Sequence, residues 1–364
     1  MRSADACSIF INGRFLSAPQ TGVQRVAREL TIALDRELAN RKSTETWKII
    51  TPTGVAPPEL DVIDVEQIHG NGNVLWEQTA LYTACKNGIL LNFANTGPIR
   101  HKQSIVMIHD AQVRDAPKSY SLAFRAWYRL HQPILASRSL RVLTVSNYSK
   151  SRLLYHGIAQ KDQITVVPNG ADHILRTIEG EPKRREAENI DDSPISDRCV
   201  AFASPASHKN LKLLLKTFAD PKLSNTRLEL IGGDLPEGVA VPSNVIRLGR
   251  VSDEKIRQLF TNAICLLLPS KTEGFGLPAI EAMGYGLPVI AANAGALPET
   301  CGDAAILLDP DDATAWSQAI EKLRLDKSLR KKYSTLGLQR VHAFPWAHSA
   351  SLVLDTLEDC KSRN

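Results

Sequence analysis

Six short apolar runs punctuate the first half of the chain: SIFIN (8–12), WKIITP (47–52), GILLNF (88–93), SIVMIHD (104–110), RVLTVS (141–146) and ITVVPNG (164–170). They are mostly aliphatic or β-branched, and none alternates with polar residues. A strand wetted on one face alternates, so runs of this kind are buried on both faces. Amphipathic helical stretches such as VQRVARELTIALDREL (23–38) lie between them. Strands and helices in alternation give βαβ units and a parallel sheet. The second half repeats the style. CVAFAS, RLELIGG, VIRLG, ICLLLPS and PVIAAN read as strands, and KNLKLLLKTFAD, SDEKIRQLFTNA and DATAWSQAIEKLRL read as helices.

A chain of 364 residues is long for one core and fits two domains. The stretch 176–198 is charged and poor in apolar residues, so it contributes little to a core and reads as a polar linker or surface insertion. The expected organisation is α/β: a Rossmann-like N-terminal domain over 1–175, the linker, and a second Rossmann-like domain over 199–345. A last helix over 346–364 is placed across the domain junction. Ligands of such sheets bind beyond the carboxyl ends of the strands, which directs attention to the loops there and to an interdomain cleft.

Composition narrows the class. With 43% hydrophobic and 23% charged residues the chain is globular. No apolar run approaches the roughly 18 residues of a spanning helix, and the first residues, MRSADACSIFINGRFL, do not read as a secretion signal. Six scattered cysteines without a CxxC pair argue against a disulfide framework or zinc site and fit a reducing cytoplasm. The net charge is +5, yet residues 116–161 contain no Asp or Glu and eight Lys or Arg, leaving −3 for the remainder (5 − 8). That stretch is either a solvated basic face or a surface for an anionic partner. It carries no nucleic-acid module signature. Tyr120, Phe124, Trp127 and Tyr128 beside Arg125 and Arg129 suit an interfacial helix, so residues 118–141 are expected to touch the inner membrane from its cytoplasmic face.

The densest stretch is SKTEGFGLPAIEAMGYGLPVIAANAG, residues 270–295. Pro278 suits the first turn of a helix. Gly274 and Gly276 let the preceding backbone turn and let a ligand approach. Exposed N–H groups at a helix start bind anions. Glu273 falls in the loop, and Glu281 is expected in the first turn, where the helix dipole favours it. Taken singly, Glu281 could be an ordinary first-turn glutamate and Glu273 a solvated loop residue.

EGFGLPAIE, EAMGYGLPVIA, GALPE and GDAAILLDPDD, with TGVQRVAREL, VMIHDA, TVSNYSKSRL, VVPNGAD and SHKNLKLLLKTF, resemble in order the motifs of the GT4 retaining glycosyltransferases of GT-B fold. The resemblance runs along nearly the whole chain. It implies a hexosyltransferase that uses a nucleotide-diphosphate sugar as donor, with no cofactor and no metal. Asp191-Asp192 and Asp311-Asp312 then read as solvated loop charges. In that family the first Glu contacts the donor sugar and the second binds the ribose, which assigns those roles to Glu273 and Glu281. The amides of Phe275, Gly276 and Leu277 would hold sugar and phosphate, Lys209 would neutralise the leaving diphosphate, and His109 would lie beside the transferred sugar. The Gly22 loop would approach the diphosphate. Many members carry Arg where this chain has Ser204, so His208 or Arg25 is expected to assist Lys209.

INGRFLSAPQTGVQRVAREL, LWEQTAL and PASHKNL resemble bacterial exopolysaccharide and lipopolysaccharide transferases, often mannosyltransferases using GDP-mannose. The implied acceptor is a glycan or a polyprenyl-diphosphate-linked sugar. Other readings are transfer from UDP-glucose or UDP-galactose, a GT-B nucleotide-sugar epimerase, and a non-catalytic donor-binding protein.

Overall fold

The computed structural model describes residues 8–175, 197–235 and 238–362. Most of the polar stretch 176–198, with Asp191 and Asp192, lies outside the described residues. The chain divides into two compact units. One comprises residues 1–114, 122–170 and 345–364, and the other residues 115–121 and 171–344.

The first unit is built on seven strands: β1 (Ile9–Asn12), β2 (Trp47–Pro52), β3 (Asp64–Ile68), β4 (Ile89–Asn92), β5 (Ser104–Met107), β6 (Arg141–Thr144) and β7 (Ile164–Val166). Their order is β3-β2-β1-β4-β5-β6-β7, and every pairing is parallel. All four residues of β1, β4 and β5 are buried, as strands covered on both faces must be. Edge strand β3, sequence DVEQI, is largely exposed, so no apolar run announced it.

The last helix, Trp346–Ser362, belongs to this unit. It packs along the helix Gly22–Arg41, where Arg41 bonds Ser351 at 2.7 Å, and Ser349 Oγ donates to Pro168 O at 2.6 Å. The Trp346 ring sits against Gly170, where a Cβ would lie 2.3 Å from it.

The second unit holds β8 (Arg198–Ala203), β9 (Arg227–Gly232), β10 (Val245–Gly249), β11 (Leu266–Leu268), β12 (Val289–Ala292) and β13 (Ala305–Leu308). The order is β10-β9-β8-β11-β12-β13, again wholly parallel. The sequence also left unread the helix Lys327–Val341, whose polar residues surround it. It packs on the helix Leu277–Gly284 through Gly337, where a Cβ would stand 3.1 Å from Met283.

Candidate donor site

In the six-stranded sheet the strand order reverses between β8 and β11. Loops leaving the carboxyl ends of two such strands diverge to opposite sides and leave a crevice, the usual ligand site of an open parallel sheet. The loop after β8 makes a 3-10 turn over Ser207–Lys209, and Asn210 in the left-handed region (φ 54°) redirects the chain into the helix Leu211–Phe218. The loop after β11 carries Ser270 to Gly276. The Lys271 amide donates to His208 O at 2.8 Å and ties the two loops together.

Across this junction Lys209 Nζ donates to Glu273 Oε1 at 2.7 Å. Burial alone would raise the Glu273 carboxyl. The Lys209 charge and hydrogen bond outweigh it, with help from the Ser270 hydroxyl, and hold Glu273 below the usual carboxylate range. The Glu273 side chain is only 12% exposed while that of Lys209 keeps 33%, so the lysine remains within reach of a ligand.

The backbone around Glu273 is fixed by glycine. Gly295 adopts φ +64°, and a Cβ there would lie 2.6 Å from the Glu273 amide nitrogen. The Ala296 amide donates to Glu273 O at 3.0 Å. Gly276 adopts φ +94°, and a Cβ there would lie 2.6 Å from Leu297. These two positions require glycine for both backbone conformation and space, which explains the pairing of EGFG with the later GALPE.

The helix begins at Leu277, one residue before Pro278. Glu281 is therefore its fifth residue, in the second turn, rather than in the first turn as the sequence suggested. The cause is Gly276: its left-handed backbone ends the loop and lets Leu277 take the first helical position. Glu281 is buried and lies 3.4 Å from His173 Nε2. Phe275 is buried edge-on against Phe344, so its amide, not its ring, is what the loop can offer a ligand.

His208, which the sequence placed beside Lys209 as its assistant, is buried. Burial, then the neighbouring Lys209 charge, push its imidazole down to about 4, so it is neutral at pH 7. It acts through hydrogen bonding and stacking. Nδ1 shares a hydrogen bond with Ser119 Oγ at 2.8 Å, and the ring lies parallel to Tyr120, 6.1 Å between centroids. Ser119 and Tyr120 belong to the short segment that joins the second unit, and nothing in the sequence marked that contact. Ser204 serves the same loop, its hydroxyl accepting from the Ala206 amide at 3.2 Å.

Two expected site residues lie in the first unit. His109 follows β5 and is buried. Its Nε2 donates to Phe93 O at 2.8 Å, which leaves Nδ1 as an acceptor. Burial pushes the imidazole down to about 4 despite that bond. Gly22 opens the helix Gly22–Arg41 and is exposed, and a side chain there would meet nothing within 4 Å. Arg25 stands one turn into that helix. Asp311 pairs with Lys271, and Asp312 caps the helix Ala313–Leu325.

Two wholly parallel sheets in these strand orders, each in its own compact unit, have the architecture of the GT-B fold. Residues 184–340 match the family of glycosyl transferases group 1. The O-antigen chain mannosyltransferase B of Escherichia coli is 27% identical over 283 residues, 71% of each chain. The fold is that of sucrose-phosphate synthase from Thermosynechococcus elongatus (TM-score 0.71, 18% identity, 98% of this chain and 99% of that one). It is also that of Anabaena HepE in complex with UDP-glucose (TM-score 0.66, 14% identity, 97% and 99%).

Histidines held at about 4 in the fold but near 6.5 when unfolded take up protons only on unfolding between those values. The unfolded state binds more protons in that window, so stability falls as pH drops from 6.5 towards 4. The midpoint of thermal unfolding, measured across that range, is expected to fall, and His109→Gln is expected to make the fall shallower.

Proposed function

We propose that the chain transfers mannose from GDP-mannose, with retention, to a glycan or lipid-linked oligosaccharide in cell-surface polysaccharide synthesis. The observation that carries this reading is the Lys209–Glu273 pair where the strand order of the second sheet reverses. The mannosyl specificity rests on the similarity to an O-antigen mannosyltransferase.

In this reading Lys209 leaves part of its charge available to the diphosphate and stabilises it as it departs. Glu273, kept ionised, contacts the donor sugar and fixes the lysine in place. The amides of Phe275, Gly276 and Leu277 hold sugar and phosphate at the helix start, and Glu281 binds the ribose. Neutral His109 offers Nδ1 to a hydroxyl of the transferred sugar. The departing phosphate oxygen takes the acceptor proton, so no protein base is required, and charge compensation falls to Lys209 rather than to a metal. The Gly22 loop and Arg25 approach the diphosphate.

A panel of GDP- and UDP-sugars with membrane lipid extract, scored for nucleotide release, tests the donor. GDP-mannose is expected to turn over fastest. Preference for UDP-glucose, the sugar nucleotide found in HepE, would reassign the donor. Glu273→Ala is expected to lower transfer on the order of a hundredfold with the fold retained. Near wild-type turnover in that variant refutes its role.

Peripheral contact with the inner membrane is part of the same proposal. No described helix is long and apolar enough to cross a membrane. On the helix Leu122–Arg138, Leu122, Leu130 and Ile134 are exposed at 77%, 69% and 40%. Arg125, Arg129 and Arg138 accompany them in a stretch without acidic residues. Apolar insertion with anionic headgroup attraction suits such a face. Sedimentation with anionic vesicles is expected to retain the protein, and Leu130→Glu to release it. Absence of the wild type from the pellet at low salt contradicts the contact.

A further inference from the structure

The seven-stranded sheet has its own reversal of order, between β1 and β4. Asn12 ends β1 and Asn92 ends β4, and both are buried. Beyond them lies a cavity of about 490 Å³, within the range of small-molecule sites.

Its floor is a closed polar network around Glu77, which is 1% exposed. Asn12 Nδ2 donates to Glu77 Oε1 at 2.8 Å and to Asn92 Oδ1 at 3.0 Å. Arg14 Nη1 donates to Glu77 Oε2 at 3.3 Å and to Thr96 Oγ1 at 3.0 Å, and Thr96 donates onward to Glu77 Oε1 at 3.0 Å. Arg14 Nε donates to Gly72 O at 2.7 Å.

A buried ion pair is a weak source of stability, because desolvation offsets most of the attraction. This one also coincides with a distortion. The helical stretch 74–85 turns into a π-helix over Glu77–Leu81, starting at the carboxylate itself. Such π turns are rare and concentrate at functional sites. The network therefore points to a ligand rather than to the core.

The wall is aromatic. Phe124 and Trp127 line the cavity and are each 40% exposed. Each is held by a ring one helical turn on: Phe124 stacks on Tyr128 at 4.4 Å and Trp127 on His131 at 4.8 Å. Pre-set aromatic faces offer an apolar surface to the C–H face of a ring. The floor beneath is electrically balanced, one guanidinium against one carboxylate, so it does not select a phosphate dianion. An apolar face beside neutral hydrogen-bonding groups matches a sugar ring.

We propose that this cavity binds a neutral pyranose ring of the acceptor glycan, with Phe124 and Trp127 as its stacking wall and Arg14 as its hydrogen-bond donor. Glu77 is a positioning residue: shielded from the ligand, it orients Arg14, Asn12 and Thr96. The inference rests on the transferase reading above for the word acceptor, while the sugar site stands on the cavity.

The test uses the full chain and saturation-transfer NMR with methyl glycosides of mannose, glucose and galactose, alongside titrations with GDP and UDP. At least one glycoside is expected to show transfer to the wild type. Trp127→Ala, a partly exposed position that spares the core, is expected to weaken that transfer at least fivefold, and Trp127→Phe to restore most of it. Absence of transfer in the wild type, or equal transfer in Trp127→Ala, overturns the site. If glycosides bind and neither nucleotide does, the donor reading fails and the sugar site stands. If a nucleotide binds and no glycoside does, the reverse holds.

Discussion

The Lys209–Glu273 ion pair is the constraint around which the second unit is arranged. It spans the point where the strand order reverses, and the loops that bring its partners together diverge from β8 and β11. The carboxylate is nearly enclosed, so without the lysine it would be a buried, uncompensated charge, which folded proteins tolerate poorly. The pair thus fixes the lysine in the crevice and keeps the carboxylate ionised. Both suit the proposed role of the crevice, in which it receives a diphosphate and a sugar. Gly295 then follows as a consequence, because only a residue without Cβ lets the chain cross the Glu273 backbone so closely.

The two sheets repeat one device with different chemistry. Each reverses its order at the first and fourth strands of its unit, and each places a carboxylate with a cation at that position: Glu273 with Lys209, and Glu77 with Arg14. In the second unit the lysine stays one-third exposed beside a glycine-built helix start, a setting for anionic phosphates. In the first, the cation is hydrogen-bonded into a network and faced by aromatic rings, a setting for a neutral ring. In the proposed reading the same topology supports two unlike ligands.

Most of the fold was legible because buried parallel strands are written as continuous apolar runs. SIFIN, WKIITP and PVIAAN fall on β1, β2 and β12. What escaped lacks that signal. Edge strand β3 faces water, and the helix Lys327–Val341 buries glycine, serine and Arg330 rather than an apolar stripe. The loop residues Glu273 and Lys209 were legible from motif order, and the structure brings them into contact. The state of the histidines was not: whether His208 is charged depends on its burial and on Lys209, neither of which spacing reveals. The Ser119 contact is equally silent in sequence, since it joins residues 89 positions apart. Glu77 drew no attention because a lone glutamate in a helical stretch is ordinary until its burial is known.

In the proposed reading Lys209, held by Glu273, meets the terminal phosphate of the donor's nucleotide. Calorimetric titration with the diphosphate and the monophosphate of the preferred base tests it most directly, comparing wild type with Lys209→Met. The wild type is expected to bind the diphosphate about tenfold tighter, ~1.4 kcal/mol, and the variant to lose this preference. An equal diphosphate preference in both proteins would contradict it.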